Sequence, residues 1–430
     1  MALFDDAYAK DPHPALAALR QAGPAHRVTS PAGIPFWLVT RWDEARRVLA
    51  DPSFSKEQPV DQLPPALRAA LSTQMLLRDP PDHTRLRRLV SAAFTLRRIQ
   101  ALAPWIERIA DRLLDDMDTV SESDLIERFA VPLPFEVICE LLGIPVADRG
   151  PFHAWSTVII TVGAGMVDAM SEIVAYFRDL LARKSAQPAD DLLSALVVAG
   201  RADSDARVTG GGRAGDGPRP ADGGRAGDGA LTAGGGRAGD GPLPTDGGLS
   251  DDELVGMALL MLVAGHETTA NLIGNAVYLL CRWPDQRKRV LADPALLPAV
   301  IEEVLRMASP AATSTYRVTT RPITLGETTI PAGEQVLVSL LAVNRDPQRF
   351  PDPDTFDPDR GDGGHLAFGH GVHFCMGAPL ARLEGRIALG RLLTRYPGIR
   401  IAAPPEELRW RTGLLMHGLE ALPVHLRGAP

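Results

Sequence analysis

Cysteine is scarce: only Cys139, Cys281 and Cys375 occur in 430 residues. That scarcity excludes a disulfide framework and suits a reducing compartment, so a cytoplasmic location is expected. Basic residues are not in excess. The 45 Lys and Arg face 53 Asp and Glu, for a formal net charge of −8. A nucleic-acid partner would call for a basic stripe, and none is expected. Long apolar runs are missing from the N-terminus: Met1 to Arg20 mixes small, acidic and proline residues. Neither a signal peptide nor a membrane anchor fits that pattern, and no membrane association is expected. Strand-like alternation is sparse as well. What is left is a chain long enough to bury a large core.

Most of the sequence has helical periodicity between proline-marked turns. Helices are expected over Pro12 to Ala22, Asp43 to Ala50, His83 to Ala93, Leu96 to Met117 and Ser171 to Ser185. Strands are expected at Phe36 to Val39, at Ile323 to Leu325 and Thr329-Ile330 around a turn, and at Glu334 to Val338. The fold class is therefore mainly α with small β-sheets.

One stretch departs from this pattern. Gly-Gly-Arg-Ala-Gly-Asp-Gly occurs three times, starting at Gly211, Gly223 and Gly235. Segment 203–248 has almost nothing with which to form a core, and glycine makes ordering costly. Collagen would need glycine at every third residue, which fails. The expectation is one domain over 1–430, with 203–248 a disordered glycine-rich insertion between two helices.

Ser250 opens a helix of unusual length. Ser250 and Glu253 have capping-box spacing, and the apolar pattern runs on to about Cys281. At ~1.5 Å per residue it would span on the order of 45 Å. His266, Glu267, Thr268, Thr269 and Asn271 interrupt its centre, which rules out a membrane span. A buried site at that polar block explains it better.

The most distinctive segment is Phe368-Gly369-His370-Gly371-Val372-His373-Phe374-Cys375-Met376-Gly377. Glycines permit tight turns and close backbone approach. The helix that follows turns its free amides and positive dipole end toward the sulfur, favouring a thiolate. A small buried hydrophobe, a free catalytic cysteine, and a zinc site built on His370, His373 and Cys375 are the other readings. The pattern F-G-x-G-x-H-x-C-x-G resembles the haem-binding loop of the cytochrome P450 monooxygenases. The resemblance implies haem b, with Cys375 as the metal ligand and Phe368, His373 and Gly377 in the cofactor site.

Further motifs follow in the order of that family. Ala264-Gly265-His266-Glu267-Thr268-Thr269 resembles its oxygen-activation motif. Ala264 would let the flat cofactor approach, and a local widening of the helix is expected there. Thr268 would hold a water or direct a proton, and Glu267 would relay protons from solvent. The alternative is that Thr268 and Thr269 only bond back to helix carbonyls. Glu303 and Arg306 form E-x-x-R, three apart on one helix face. Arg360 matches the second arginine of a structural triad, with Asn344-Arg345-Asp346 between. His83, Arg87, Arg317 and His373 match the basic partners of the haem propionates. The resemblance draws a substrate pocket from the loop Ser55 to Leu77, Ile159 to Met170, Val263, Ala264, Thr313 and Met416. These positions are mainly apolar, and so is the small-molecule substrate expected.

The implied fold is the helical P450 fold around a buried haem. The implied activity is insertion of one oxygen atom of O2 into an apolar secondary metabolite or xenobiotic. Electrons would come from NAD(P)H through a ferredoxin and its reductase. That separate ferredoxin would dock near Arg382, Arg386, Arg391 and His370 on a monomeric enzyme. A hydrogen-peroxide-dependent peroxygenase and a non-catalytic haem sensor are the alternatives. Replacing Asp203 through Gly247 by a short linker should leave haem content and turnover intact. Doubling a loop's length costs only about 0.6 kcal/mol. Normal haem content with lost turnover would show that the repeat contacts the substrate entrance or the redox partner.

Overall fold

Helices dominate the architecture, as the periodicity predicts. The structure is a computed structural model describing residues 3–57, 64–160, 165–198, 248–361 and 364–427. Apart from Gly248, the glycine-rich segment 203–248 lies outside the described residues, as do 58–63 and 161–164 of the expected pocket. The helices that position the site are, in chain order, α1 (Asp82–Ala93), α2 (Ala103–Met117), α3 (Pro132–Leu142), α4 (Met166–Ala186), α5 (Asp251–Gly265), α6 (Glu267–Arg282), α7 (Leu297–Met307) and α8 (Ala378–Arg395).

Two expected helices are each divided. Leu96 to Met117 breaks at Leu102, because Pro104 belongs to the first turn of α2 and cannot continue a preceding helix. The long helix from Ser250 is two segments, α5 and α6, separated at His266. Its start is as expected. Ser250 Oγ accepts from Glu253 N at 3.3 Å, and Glu253 Oε2 accepts from Ser250 N at 2.8 Å. Asp251, Asp252 and Glu253 place three acids against the positive end of the helix dipole.

The strands are β1 (Ala25–Thr29), β2 (Pro35–Val39), β3 (Phe54–Ser55), β4 (Glu122–Asp124), β5 (Arg317–Thr319), β6 (Ile323–Leu325), β7 (Thr328–Ile330), β8 (Gln335–Val338), β9 (Arg400–Ile401) and β10 (Pro423–His425). They form a five-stranded sheet β1-β2-β8-β5-β3, a three-stranded sheet β4-β10-β9 and the hairpin β6-β7. In the large sheet β2 and β8 run parallel, with Trp37 opposite Val336. The other pairs are antiparallel. This sheet sets Arg317, at the start of β5, beside β3 and the residues that follow it.

The largest hydrophobic cluster is built from α2, α6, α7 and α8. A second joins α1, α3, α4 and α5. α5 and α6 therefore run between the two clusters, and burying each large apolar side chain contributes ~1.5–3 kcal/mol. Among the described residues no helix is long and apolar enough to cross a membrane.

A buried ionic lock joins α7 to the chain leading into the cysteine loop. Arg306 donates to both carboxylate oxygens of Glu303, at 2.8 and 2.7 Å. Its remaining donors reach the carbonyls of Asn344, Pro353 and Thr355. Glu303 also accepts from Asp357 N at 2.9 Å and Arg360 Nε at 3.4 Å. Arg360 in turn binds the carbonyls of Pro351, Asp352 and Thr355. Asn344 continues the path: its side chain donates to Ser309 Oγ and accepts from Leu366 N, two residues before Phe368. The three expected residues thus meet, with Glu303 and Arg306 both buried. Glu303→Ala should leave a buried guanidinium without its carboxylate, at a cost of ~3–5 kcal/mol. Purified variant should carry little haem and melt well below the parent. A fully loaded but inactive variant would instead assign Glu303 to the chemistry.

Candidate functional site

Backbone geometry shapes the cysteine loop first. Gly369 and Gly371 both have φ +75°, in the left-handed region that glycine tolerates. Gly371 also needs its lack of a side chain: a Cβ there would lie 2.9 Å from the Leu49 carbonyl oxygen. Phe374 N donates to Gly371 O at 3.0 Å, and Cys375 N donates to Phe368 O at 2.9 Å, closing the loop. Gly377 then caps α8. Arg382 lies over the Phe368 ring, 4.6 Å from its centroid.

The three cysteines differ in setting. Cys139 is fully buried, and burial pushes its thiol up to about 12. Cys281 is half-buried and also raised by burial. Cys375 is on an accessible loop, although dense protein surrounds its sulfur. Burial raises its thiol too. Amides of Gly377 and Ala378, then the charges of Arg87 and Arg382, work against that. Such a thiol reaches the anionic state fully when a metal coordinates it. Among the described residues no three His, Cys, Asp or Glu side chains converge as a metal site, so His370, His373 and Cys375 do not form a zinc set.

Beside the loop lies a cluster of buried basic groups. The rings of His83 and His373 are 4.2 Å apart. Arg317 donates to the carbonyls of Phe54 and Leu49 at 3.4 and 3.2 Å. Both ring nitrogens of His83, Nε of Arg317 and Nε2 of His373 are buried without a hydrogen-bond partner among the described residues. Leaving such atoms unmatched costs ~1–3 kcal/mol each. A ligand bearing carboxylates would satisfy them, and haem has two. The residues present therefore fit the cofactor. Arg87 has a further contact: its guanidinium donates to the carbonyls of Val372 and Phe374 at 3.0 and 2.7 Å, clamping the cysteine loop.

The interruption between α5 and α6 has its own hydrogen-bond logic. A broken helix frees carbonyls that must find other donors. His266 Nδ1 donates to Leu262 O at 2.8 Å, Thr268 Oγ1 to Ala264 O at 2.8 Å and Thr269 Oγ1 to Gly265 O at 3.3 Å. Burial holds His266 below the ordinary histidine range, so its ring stays neutral. The back-bonding alternative thus holds for both threonines, but a hydroxyl that donates keeps its lone pairs free to accept. Ala264 is exposed even though its helix runs through the core.

Glu267 is buried and turns to a partner that the sequence pattern did not identify. Arg411 Nη1 lies 2.8 Å from Glu267 Oε1. Arg411 is a quarter exposed and so connects the carboxylate to solvent. Trp410 stacks on His417 at 4.7 Å and 12°, and Arg411 N donates to Gly418 O, fixing the turn that presents the guanidinium. No local motif marks Arg411; it lies in a loop far along the chain. Lys56 is a second residue missed, buried at 1% exposure near Arg317.

Of the expected pocket residues, Val263 packs half-buried against the second cluster. Thr313 is buried, and its hydroxyl donates to Leu414 O at 2.8 Å. Met416 bridges to Ala311, which brings the C-terminal turn against the same segment. On the outer face, two of the expected docking arginines are already paired: Arg382 with Glu302 at 2.6 Å and Arg391 with Glu107 at 2.7 Å.

Comparison with known proteins identifies the family. The profile of the family described as Cytochrome P450 matches residues 10–417. Cytochrome P450 monooxygenase PikC of Streptomyces venezuelae is 44% identical, over 98% of this chain and 92% of its own. Vitamin D(3) 25-hydroxylase of Pseudonocardia autotrophica is 41% identical, over 98% of this chain and 95% of its own. The solved structure of the tirandamycin C-bound P450 monooxygenase TamI superposes with a TM-score of 0.82 at 40% identity, covering 99% of this chain and all, 100%, of that one. Cys375→Ala should lose the red-shifted Soret band of the reduced, carbon-monoxide-bound protein, whereas Cys139→Ala and Cys281→Ala should keep it. Retention of the band in Cys375→Ala would place the thiolate elsewhere.

Proposed function

The chain belongs to the cytochrome P450 family, and from that premise we propose a specific reading of its site and its electron supply. Enzymes of this family are haem monooxygenases. In the proposed reading Cys375 would supply the thiolate that holds the haem iron, and the substrate is a largely apolar small organic molecule of the secondary-metabolite or xenobiotic class. NAD(P)H supplies electrons through a ferredoxin reductase and a separate ferredoxin to a monomeric, cytoplasmic enzyme. Whatever docks on the face near His370 meets Arg386 more freely than Arg382 or Arg391, whose charges are offset by Glu302 and by Glu107.

When bound, haem supplies the iron at which dioxygen is cleaved and one oxygen atom is passed to the substrate. The protein's own residues do the rest. Arg87 holds the loop carbonyls so that Cys375 keeps its place. His83, Arg317 and His373 would hold the cofactor by its propionates. Ala264, exposed on its helix, would leave room for it. Thr268 directs a proton with the hydroxyl that is anchored on Ala264 O. Glu267 delivers protons to that hydroxyl, and Arg411 fixes the position of the buried carboxylate. Val263, Thr313 and Met416 line the substrate side and limit the entry of water.

The observation that carries this reading is the pairing of an accessible Cys375 with a set of buried, unmatched basic groups beside it. A peroxide-driven enzyme would need no acid–alcohol pair, and Glu267-Thr268 favours the dioxygen route. Reconstitution with ferredoxin, its reductase and NAD(P)H tests it. Thr268→Ala should bind haem and substrate but divert electrons to peroxide or water. Arg411→Gln removes the cation that lies against the buried Glu267 carboxylate. Coupled product should fall roughly 10-fold, and Arg411→Lys should restore it. Full coupling in either Thr268→Ala or Arg411→Gln would remove the assigned roles.

A further inference from the structure

Lys56 is among the largest fully buried side chains of the protein, with 1% of its surface exposed. It follows β3 directly. Its ammonium donates to Thr315 Oγ1 and to Tyr316 O, the latter at 2.8 Å. Both acceptors are neutral. The nearby acid, Asp79, is otherwise engaged: Oδ1 accepts from Lys56 N at 3.0 Å, and Oδ2 accepts from the Ser55 hydroxyl. Among the described residues no carboxylate pairs with the Lys56 ammonium. Lysine is almost never fully buried without a counter-ion, and an isolated buried charge is strongly disfavoured.

The surroundings show where the counter-ion belongs. Arg317 sits at the start of β5, which pairs with β3, and its charge acts on Lys56. Lys56 in turn acts on His373, together with His83, Arg317 and Arg87. Of these, His83, Arg317 and His373 carry buried nitrogens that lack partners among the described residues. Burial, followed by the charge of Arg317, pushes the lysine down to about 7, against the pull of Asp79. Asp79 is the one acid that acts on both Lys56 and Arg317, and it makes no ion pair with either, so a carboxylate entering beside them would find positive charge not yet paired.

We propose that Lys56 is a cofactor-binding residue, its ammonium held by Thr315 and Tyr316 so as to pair with a haem propionate. This inference rests on the haem-thiolate reading above. Thr315 and Tyr316 act as positioning groups, and Asp79 fixes the Lys56 backbone without forming an ion pair with its ammonium. A carboxylate from a substrate is the other source of the same chemistry. The unmatched nitrogens of His83, Arg317 and His373 in the same cluster favour the propionate.

The test uses the holoprotein. Lys56→Gln keeps a donor for Thr315 and Tyr316 but removes the charge. Haem should pass from it to apomyoglobin roughly 10-fold faster or more, the order of a lost charge-assisted hydrogen bond. The propionate-bending band in the resonance Raman spectrum of the resting, substrate-free protein should shift, and the reduction potential should fall. Lys56→Arg should return all three toward the parent. An unshifted band with an unchanged transfer rate overturns the proposal. So does a Lys56→Gln variant altered only in its spectral titration with lauric acid, which would give the lysine to the substrate. If Lys56→Gln accumulates without haem, Lys56→Arg decides: restored loading supports the need for charge, and absent loading in both overturns it. Failure of the haem-thiolate reading would be visible separately, as a parent protein without the red-shifted carbon-monoxide band.

Discussion

The buried pairing of Glu303 with Arg306 is the constraint on which the site depends. It spends nearly all of its hydrogen-bonding capacity on backbone groups from 344 to 357. Those groups belong to irregular chain that no helix or sheet ladder could hold. Asn344 extends the same hold to Leu366, at the threshold of the cysteine loop. A buried ion pair is by itself weak support for stability, because desolvation offsets much of its attraction. Its value lies in specificity: removing either partner leaves a buried charge and releases the segment that delivers Cys375.

Around that anchor the protein repeats one device, the use of side chains to satisfy backbone carbonyls where regular structure stops. His266, Thr268 and Thr269 do so at the junction of α5 and α6. Arg87 does so on the cysteine loop, and Arg317 does so between β5 and the residues around β3. Each case lets an irregular backbone run without leaving those carbonyls unmatched. Unmatched buried side-chain atoms also occur singly elsewhere, as on Ser123, Asn271 and Glu384, but those on His83, Arg317 and His373 lie together beside the cysteine loop. Their concentration there has a ligand-shaped meaning that scattered orphans would lack.

Much of this was legible in the linear pattern, and the reason is range. The capping box at Ser250 and Glu253, the i,i+3 pair Glu303 and Arg306 and the turns at Gly369 and Gly371 involve neighbours a few residues apart. Their geometry follows from helix pitch and from allowed backbone angles. Strands β2, β6, β7 and β8 were visible from alternation. The same local rules overreached twice. They joined α5 to α6 across His266, where a run of polar residues breaks the ladder, and they ran through Leu102, where Pro104 stops it.

By itself the sequence determined a mainly helical chain, the one cysteine on a glycine-shaped loop, the acid–alcohol pair and the ionic lock. Tertiary structure alone decided which charges meet. Arg411 reaches Glu267 because a C-terminal turn, set by Trp410 on His417, packs beside α6. Arg382 and Arg391 are paired on the outer face with Glu302 and Glu107 from other helices. Arg87 turns to the loop, and Lys56 is buried beside Arg317 by the pairing of β3 with β5. Charge partners are chosen by the packing of distant elements, and burial sets how strongly they act. Neither is encoded in the spacing of residues along the chain.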